Sequence, residues 1–158
     1  MEKKLCGFHF NDSKYGDDDL TVGSIRPYQL FLIFRELVEG MDARGMNHAK
    51  DLGWMIDASH NIKDPLEDLL QSVEAIQIAY AQALLVDDKA LDEARESNDV
   101  VRAQEILQQA FRTDVRSVVA EARRRSGAAI DPLGAYRAMK IRDTLIGERG
   151  AVSKATGL

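Results

Sequence analysis

Two short stretches of the chain alternate between apolar and polar positions, which is the pattern of half-buried β-strands. In residues 5–11, aromatic side chains fall on one face and His9 falls on the other. In residues 53–59, Trp54 falls on one face and Asp57 falls on the other. The alternation therefore predicts two strands, each carrying a polar side chain that could take part in chemistry close to its C-terminal end.

The segment between these strands has the apolar spacing of an amphipathic helix. In residues 27–39, apolar side chains recur every three or four positions. Pro27 suits the first helical turn, and Gly40 stands where the helix is predicted to end. A strand, a helix and a strand in this order predict a βαβ unit, in which parallel strands are joined by a right-handed crossover.

The chain beyond the second strand is predicted to be helical. A helix is predicted over residues 64–86, because Asp64 is a favoured N-cap residue and Pro65 suits the first helical position. Two further helices are predicted, over residues 99–125 and from Asp131 toward Glu148.

Two parallel strands with several helices form an incomplete fold, because a parallel sheet needs further strands and helices on both faces. The pattern matches the last part of a (β/α)8 barrel, a fold that needs about 250 residues. We therefore predict an α/β chain: a C-terminal TIM-barrel fragment followed by a mostly helical extension. The predicted divisions are residues 1–63 for the barrel units, 64–150 for the helical region and 151–158 for a flexible tail.

Composition narrows the classes of partner. The chain has 158 residues, 45% of them hydrophobic, with a net charge of -5 and a pI near 5.2. Nucleic acids and anionic membranes attract basic surfaces, so neither is an expected partner, whereas small polar substrates and cations are. Because Cys6 is a single cysteine and no apolar run reaches the roughly 20 residues that span a bilayer, we expect a reducing cytoplasmic location.

The candidate chemistry lies at the C-terminal ends of the predicted strands. In a parallel barrel the active site is at this end, so His9 and Asp57 are expected to point inward together. Asp17, Asp18 and Asp19 follow the first strand in a predicted loop. Adjacent carboxylates repel one another, and a divalent cation relieves that repulsion. One imidazole with several carboxylates suits Mn, Mg, Co or Zn.

Simpler interpretations of the same residues stay open. The three aspartates suit a solvated acidic turn, and Asp17 or Asp19 could cap a helical turn. A histidine on a strand is often a hydrogen-bonded core residue. An EF-hand loop that starts at Asp12 is excluded, because its third and fifth positions would be Lys14 and Gly16. The basic run at residues 122–127 suits the last turn of a helix, where arginines complement the helix dipole.

Two longer stretches, "GFHFNDSKYGDDDLTVGSI" and "WMIDASHNIKDPLEDLLQSVEAIQIAYAQALLV", resemble the C-terminal part of bacterial L-rhamnose isomerase of the pseudomonad type. The resemblance extends to about Gly150. It implies an aldose–ketose isomerase, an intramolecular oxidoreductase of rhamnose catabolism that converts L-rhamnose to L-rhamnulose by a metal-assisted hydride shift. Relatives of this family also interconvert other aldoses, such as D-allose.

The resemblance also implies roles for individual residues. His9 and Asp57 match ligands of a metal that holds substrate hydroxyls, and Asp17 and Asp19 match ligands of a second, catalytic metal. Asp17 would orient the metal-bound water, Asp57 would fix the reacting oxygens of the sugar, and Ser59 matches a position near the bound sugar. The implied cofactors are two divalent cations, with Mn preferred and Co, Mg or Zn possible.

The chain lacks the residues that this family contributes from earlier barrel strands. Four protein ligands shared by two ions leave both under-coordinated. We therefore expect the 158-residue chain to be inactive alone and the full-length enzyme to be a homotetramer, as the family resemblance implies. The alternative is a non-catalytic helical adaptor whose long helices, beginning near Asp64 and Asp99, supply the interface.

Overall fold

The computed structural model describes residues 5–58, 64–141 and 143–144. Within these residues the chain is α/β and mostly helical. The elements in chain order are β1 (Gly7–Phe10), β2 (Asp12–Lys14), β3 (Asp17–Leu20), α1 (Pro27–Asp42), β4 (Gly53–Ile56), α2 (Pro65–Ala83), α3 (Asp88–Glu96), α4 (Val100–Arg112), α5 (Arg116–Ser126) and α6 (Pro132–Ala138).

Strands β1 and β4 form the predicted parallel pair. Gly7 lies opposite Gly53, and Phe10 lies opposite Ile56. The glycine pair permits a close approach of the two strands, because a Cβ atom on Gly7 would lie 3.1 Å from the carbonyl oxygen of Gly53. The prediction of two parallel strands joined through a helix is confirmed. The predicted barrel and the predicted domain divisions stay predictions.

The acidic segment after β1 is a hairpin, so the prediction of a loop is wrong. Strands β2 and β3 pair antiparallel, and the turn between them contains Gly16 at φ 75°. The residues directly after β3, rather than the turn of the hairpin, anchor it to α2. The Thr21 hydroxyl donates to Asp68 on α2, and the Val22 N–H donates to the buried Ser72 hydroxyl at 3.1 Å. These long-range contacts fix the segment in a way that local sequence does not show.

Helix α1 begins at Pro27 as predicted, but the predicted end at Gly40 is wrong. The helix continues to Asp42. Its apolar stripe extends past the glycine, because Val38 and Met41 are both buried. The burial of Met41 outweighs the cost of about 1 kcal/mol that a glycine imposes on a helix interior.

Aromatic side chains form the part of the core that joins the parallel strands to α1. Phe10 stacks on Phe34 with ring centroids 5.2 Å apart and on Trp54 at 5.8 Å. Phe31, which is on α1 with Phe34, is completely buried. Because these rings all lie on the core side of β1 and β4, the alternating residues of the strands are directed to the opposite side.

Helix α2 confirms its predicted start. The Asp64 side chain accepts hydrogen bonds from the backbone N–H groups of Leu66 and Glu67, and Pro65 is the first helical residue. The helix ends at Ala83 rather than at the predicted residue 86. Helix α3 was not predicted as a separate element; its N-cap is Asp87, which accepts from the N–H of Ala90.

The prediction of one helix over residues 99–125 is wrong, because the chain breaks between α4 and α5. Thr113 is extended at ψ 128°. The Gln82 side-chain amide of α2 donates to the carbonyl oxygens of Phe111 and Thr113, at the point where the two helices separate. Helix α6 begins at Pro132 as predicted and ends at Ala138. The predicted continuation toward Glu148 lies partly outside the described residues.

In the part of the chain that the structure describes, no single helix is long and apolar enough to cross a bilayer. Helices α2 and α3 meet such a criterion only when taken together, and they are bent by 68° at their junction.

Candidate metal-binding site

The structure brings His9 and Asp57 together. His9 is on β1, and Asp57 directly follows β4, so the two residues lie on neighbouring parallel strands near their C-terminal ends. The His9 Nδ1 atom is 3.8 Å from an Asp57 carboxylate oxygen. The Asp57 backbone N–H donates to the Phe10 carbonyl at 2.9 Å, which holds Asp57 beside β1. The parallel register therefore produces this pair directly.

Both side chains face away from the aromatic core. The His9 side chain is 59% exposed and the Asp57 side chain is 67% exposed. Asp57 was expected to point inward with His9, and in this structure its carboxylate is open to solvent. Because both side chains are exposed, neither charge carries a desolvation cost that another group must offset, and the attraction between the two side chains is weak. The pair is thus accessible to a ligand.

The structure places Asp17 and Asp19 on β3, where each has a partner of its own. The Asp17 carboxylate is 3.6 Å from the Lys14 ammonium. The Asp19 carboxylate accepts a hydrogen bond from the Asn11 side chain at 3.0 Å, and its backbone has a left-handed φ of 56°. The structure does not bring these two carboxylates into one ligand group with His9 and Asp57.

Among residues 5–58, 64–141 and 143–144, no group of three or more His, Cys, Asp or Glu side chains could hold a metal ion. The His9–Asp57 pair supplies two of the ligands that such a site needs. Metal bonds to His nitrogen and carboxylate oxygen are about 2.0–2.2 Å long, so one ion can bridge donor atoms 3.8 Å apart. A structural zinc site needs four ligands and calcium needs at least six, so further donors are required.

Ser59, predicted to lie near a bound sugar, falls outside the described residues. Its position relative to Asp57 therefore stays a prediction that follows from the family resemblance.

Sequence reasoning did not identify the role of Asp12. This carboxylate is 7% exposed and accepts the backbone N–H groups of Ile25 and Arg26, both at 2.9 Å. Its other oxygen accepts the N–H of Ser13. Asp12 thus holds the segment that leads into α1. No local sequence signal identifies this role, because the contacts with Ile25 and Arg26 span 13 and 14 residues.

A cavity of about 220 Å³ lies beside β1 and the start of α1. Phe8 and Ile33 supply apolar surface, while Asn11, Arg26 and Gln29 supply polar groups. The cavity is bounded by β1 and α1, and Asp57 is not among its lining residues. It therefore adjoins the candidate metal pair without containing both of its members.

The basic run at the end of α5 has intramolecular partners. Arg123 is buried and donates to the Gln77 side chain and to the Ile130 carbonyl. Arg124 and Arg125 both donate to the Glu121 carboxylate, which holds the pKa of that carboxyl below its usual value. The run ends at a left-handed glycine, so the interpretation as a helix C-terminus is confirmed.

The sequences of two curated proteins match this chain along nearly its whole length. One, from Mesorhizobium japonicum and named "Probable sugar isomerase", is 52% identical over 157 residues, which are 98% of this chain and 36% of the relative. Another, from Rhizobium meliloti with the same descriptive name, is 52% identical over 155 residues, again 98% of this chain and 36% of the relative. No protein-family model matches the chain. The chain spans about a third of the length of these relatives.

Proposed function

We propose that the chain forms part of a sugar isomerase that interconverts an aldose and a ketose, and that His9 and Asp57 bind a divalent cation in its active site. The observation that carries the proposal is the His9–Asp57 pair, 3.8 Å apart at the ends of neighbouring parallel strands. The 52% identity to proteins named as sugar isomerases supports the reaction class.

The position of the pair suits this chemistry. In parallel α/β folds, ligands bind beyond the C-terminal ends of the strands, which is where His9 and Asp57 lie. The two residues also provide one nitrogen and one carboxylate donor, a mixed set that Mn, Co and Zn accept. Substrate oxygens could approach such an ion from solvent, because both side chains are more than half exposed.

Isomerisation of an aldose to a ketose moves a hydrogen from C2 to C1 and a proton between the two attached oxygens. A divalent cation, when bound, stabilises the negative charge that develops on those oxygens. The contribution of this chain is to hold the ligand atoms of His9 on β1 and of Asp57 directly after β4, so that the substrate oxygens are fixed in one orientation.

The finer assignment follows the motif resemblance. We propose L-rhamnose as the substrate and L-rhamnulose as the product, with Mn as the preferred ion, Ser59 near the sugar and the chain as a TIM-barrel fragment. Asp17 and Asp19 are proposed for a second ion. The contacts of Asp17 with Lys14 and of Asp19 with Asn11 do not favour that second site, so we assign no catalytic step to it.

The activity of the whole isomerase requires more than this chain supplies. Two donors do not complete a metal site, and the chain spans about a third of its relatives. We therefore expect no sugar turnover by the isolated chain. The alternative of a helical adaptor gains no support from the sugar-isomerase similarity.

The test is a chimera in which this chain replaces the matched 157-residue segment of the Mesorhizobium japonicum relative. With Mn²⁺ and L-rhamnose, we expect ketose formation that Asp57→Asn reduces at least a hundredfold. Asp18→Asn is the matched control, because Asp18 is an exposed acid of the same region, and it should leave the rate within twofold of the parent chimera. A parent chimera whose Mn²⁺-dependent activity survives Asp57→Asn would refute the assignment of Asp57.

A further inference from the structure

The face of the β1–β4 pair that carries His9 also carries one apolar side chain, that of Met55. In the parallel register His9 lies directly opposite Met55. Asp57 follows Met55 by two residues, so its side chain leaves the chain on the same face. Met55 is 50% exposed. Its thioether is therefore an accessible apolar group beside both candidate metal ligands.

The other positions on this face are glycines. Gly7 and Gly53 are paired two residues before His9 and Met55, toward the N-terminal ends of the strands. Within the described residues of β1 and β4, Met55 is thus the single apolar side chain on the face opposite the aromatic core. The glycine pair adds no side chain that would cover the thioether from that end.

The spacing on this face matches the size of a small sugar. Neighbouring strands lie about 4.8 Å apart, and residues i and i+2 of one strand lie about 6.6 Å apart. A six-carbon sugar whose oxygens approach His9 and Asp57 can therefore reach Met55 with its far end. The face offers polar contacts to one part of a sugar and an apolar contact to another.

We propose that Met55 contacts the C6 end of the substrate and makes the site selective for 6-deoxy aldoses, which carry a methyl group where other hexoses carry a hydroxyl. The inference rests on the proposed function, because it takes the substrate to be an aldose whose oxygens lie near His9 and Asp57. L-Rhamnose belongs to this class, and L-mannose is the same sugar with a hydroxyl at C6.

The selectivity follows from the desolvation of the C6 group. A methyl group gives up no hydrogen bond when it contacts a thioether, and the unbranched methionine side chain adapts its shape to it. A hydroxyl in the same place gives up hydrogen bonds to water, and a thioether sulfur, which is a weak acceptor, replaces them poorly. Apolar pockets reject an added hydroxyl by about a hundredfold, and a single apolar wall supplies part of that factor.

An alternative role for Met55 is packing against further polypeptide of the isomerase, without contact with the sugar. A change in such packing would alter the rates with L-rhamnose and with L-mannose to the same extent, because both sugars would meet the same altered enzyme. The ratio of the two rates therefore separates contact with the sugar from packing.

The experiment compares kcat/KM for L-rhamnose and L-mannose, with Mn²⁺, in the chimera with the Mesorhizobium japonicum relative. Met55→Gln keeps the length of the side chain but makes it polar, and it should lower the ratio of L-rhamnose to L-mannose about fivefold or more. Met55→Leu keeps the side chain apolar and should leave the ratio within twofold. Met139→Gln is the matched control, because Met139 is 64% exposed directly after α6, and it should also leave the ratio within twofold.

A second measurement does not depend on turnover. In a chimera with ¹³C-labelled methionine methyl groups and Mg²⁺, L-rhamnose should shift the methyl signal of Met55, which is assigned by its loss in Met55→Leu. L-Mannose should shift this signal less at the same fractional saturation. The methyl signal of Met139 should stay where it is with either sugar.

Either of two results would overturn the proposal: a ratio that Met55→Gln leaves unchanged in an active chimera, or a Met55 methyl signal that L-rhamnose does not shift. A Met55→Gln variant that fails to fold leaves the decision to the methyl signal of the parent chimera. Failure of the proposed function is separate, because a parent chimera that forms no ketose from either sugar would refute that function while the methyl signal still reports on the contact of Met55.

Discussion

Replacement of Asp12 should destabilise the fold even though Asp12 belongs to the same acidic stretch as the solvent-exposed Asp18. Asp12 is 7% exposed, and its carboxylate accepts three backbone N–H groups, those of Ser13, Ile25 and Arg26. The bonds from Ile25 and Arg26 join the hairpin to the start of α1. The perturbation to make is Asp12→Asn, which preserves volume but replaces one oxygen with an NH₂ group.

The magnitude follows from the contacts. In Asp12→Asn one amide hydrogen-bond acceptor remains, so at least one backbone N–H faces another donor, and the other bonds lose their ionic character. Hydrogen bonds to a charged group contribute about 1.5–3 kcal/mol each, and an unsatisfied buried donor costs about 1–3 kcal/mol. We expect a loss of about 2–3 kcal/mol for Asp12→Asn and about 3–5 kcal/mol for Asp12→Ala, which removes all three acceptor contacts.

Urea unfolding followed by circular dichroism measures this effect. With a slope of about 2 kcal/mol/M, the midpoint should fall by about 1–1.5 M in Asp12→Asn. Asp18→Asn serves as the control and should stay within about 0.5 kcal/mol of the parent, as surface substitutions do. Equal midpoints for the parent chain and Asp12→Asn would refute the role given to this carboxylate.

Two other predictions concern ion pairs. The Arg35 guanidinium is 2% exposed and lies 2.9 Å from the Asp88 carboxylate and 3.0 Å from the Glu39 carboxylate. The double replacement Glu39→Gln with Asp88→Asn removes both carboxylate partners and should cost about 3–5 kcal/mol in urea unfolding, whereas Arg35→Met, which removes the buried charge, should cost less. A larger cost for Arg35→Met would contradict this ordering. The hydrogen bonds from Arg116 lower the pKa of Asp114 to about 2, so any stabilisation by this pair is present above pH 3.8 and is lost as the pH falls through about 2. Carboxyl NMR should give a titration midpoint of about 2 for Asp114 in the parent chain and a midpoint near 3.8 in the Arg116→Ala variant. A midpoint near 3.8 for Asp114 in the parent chain would exclude the interaction.

The parts of the fold that were predicted correctly have local causes. Strand alternation with an intervening helix was sufficient to predict that β1 and β4 are parallel, and the same alternation placed His9 and Asp57 on the face opposite the aromatic core. The starts of α2 and α6 follow from Asp-Pro pairs, because Asp64 and Asp131 each accept backbone N–H groups of the first turn.

The parts that were not predicted depend on contacts distant in sequence. The break between α4 and α5 coincides with hydrogen bonds from Gln82 to the chain at Phe111 and Thr113. The hairpin contains three consecutive aspartates, a residue type that is depleted in strands, and anchoring of Thr21 and Val22 to α2 offsets that tendency. Local propensity alone does not predict either feature.

The candidate site was predictable only in part for a related reason. His9 and Asp57 meet because β1 and β4 pair in a parallel register that places Asp57 beside Phe10. Asp17 and Asp19 are directed by the hairpin, whose pairing gives them Lys14 and Asn11 as neighbours.

Paramagnetic broadening by Mn²⁺ in a ¹H–¹⁵N NMR spectrum tests the central claim most directly, because it locates even weak binding by two ligands. The account predicts that substoichiometric Mn²⁺ broadens the amide signals around His9 and Asp57 first, and that Asp57→Asn or His9→Ala abolishes this broadening while Asp18→Asn preserves it. Broadening centred elsewhere, or undiminished in both the His9 and the Asp57 variants, would contradict the assignment of these residues as metal ligands.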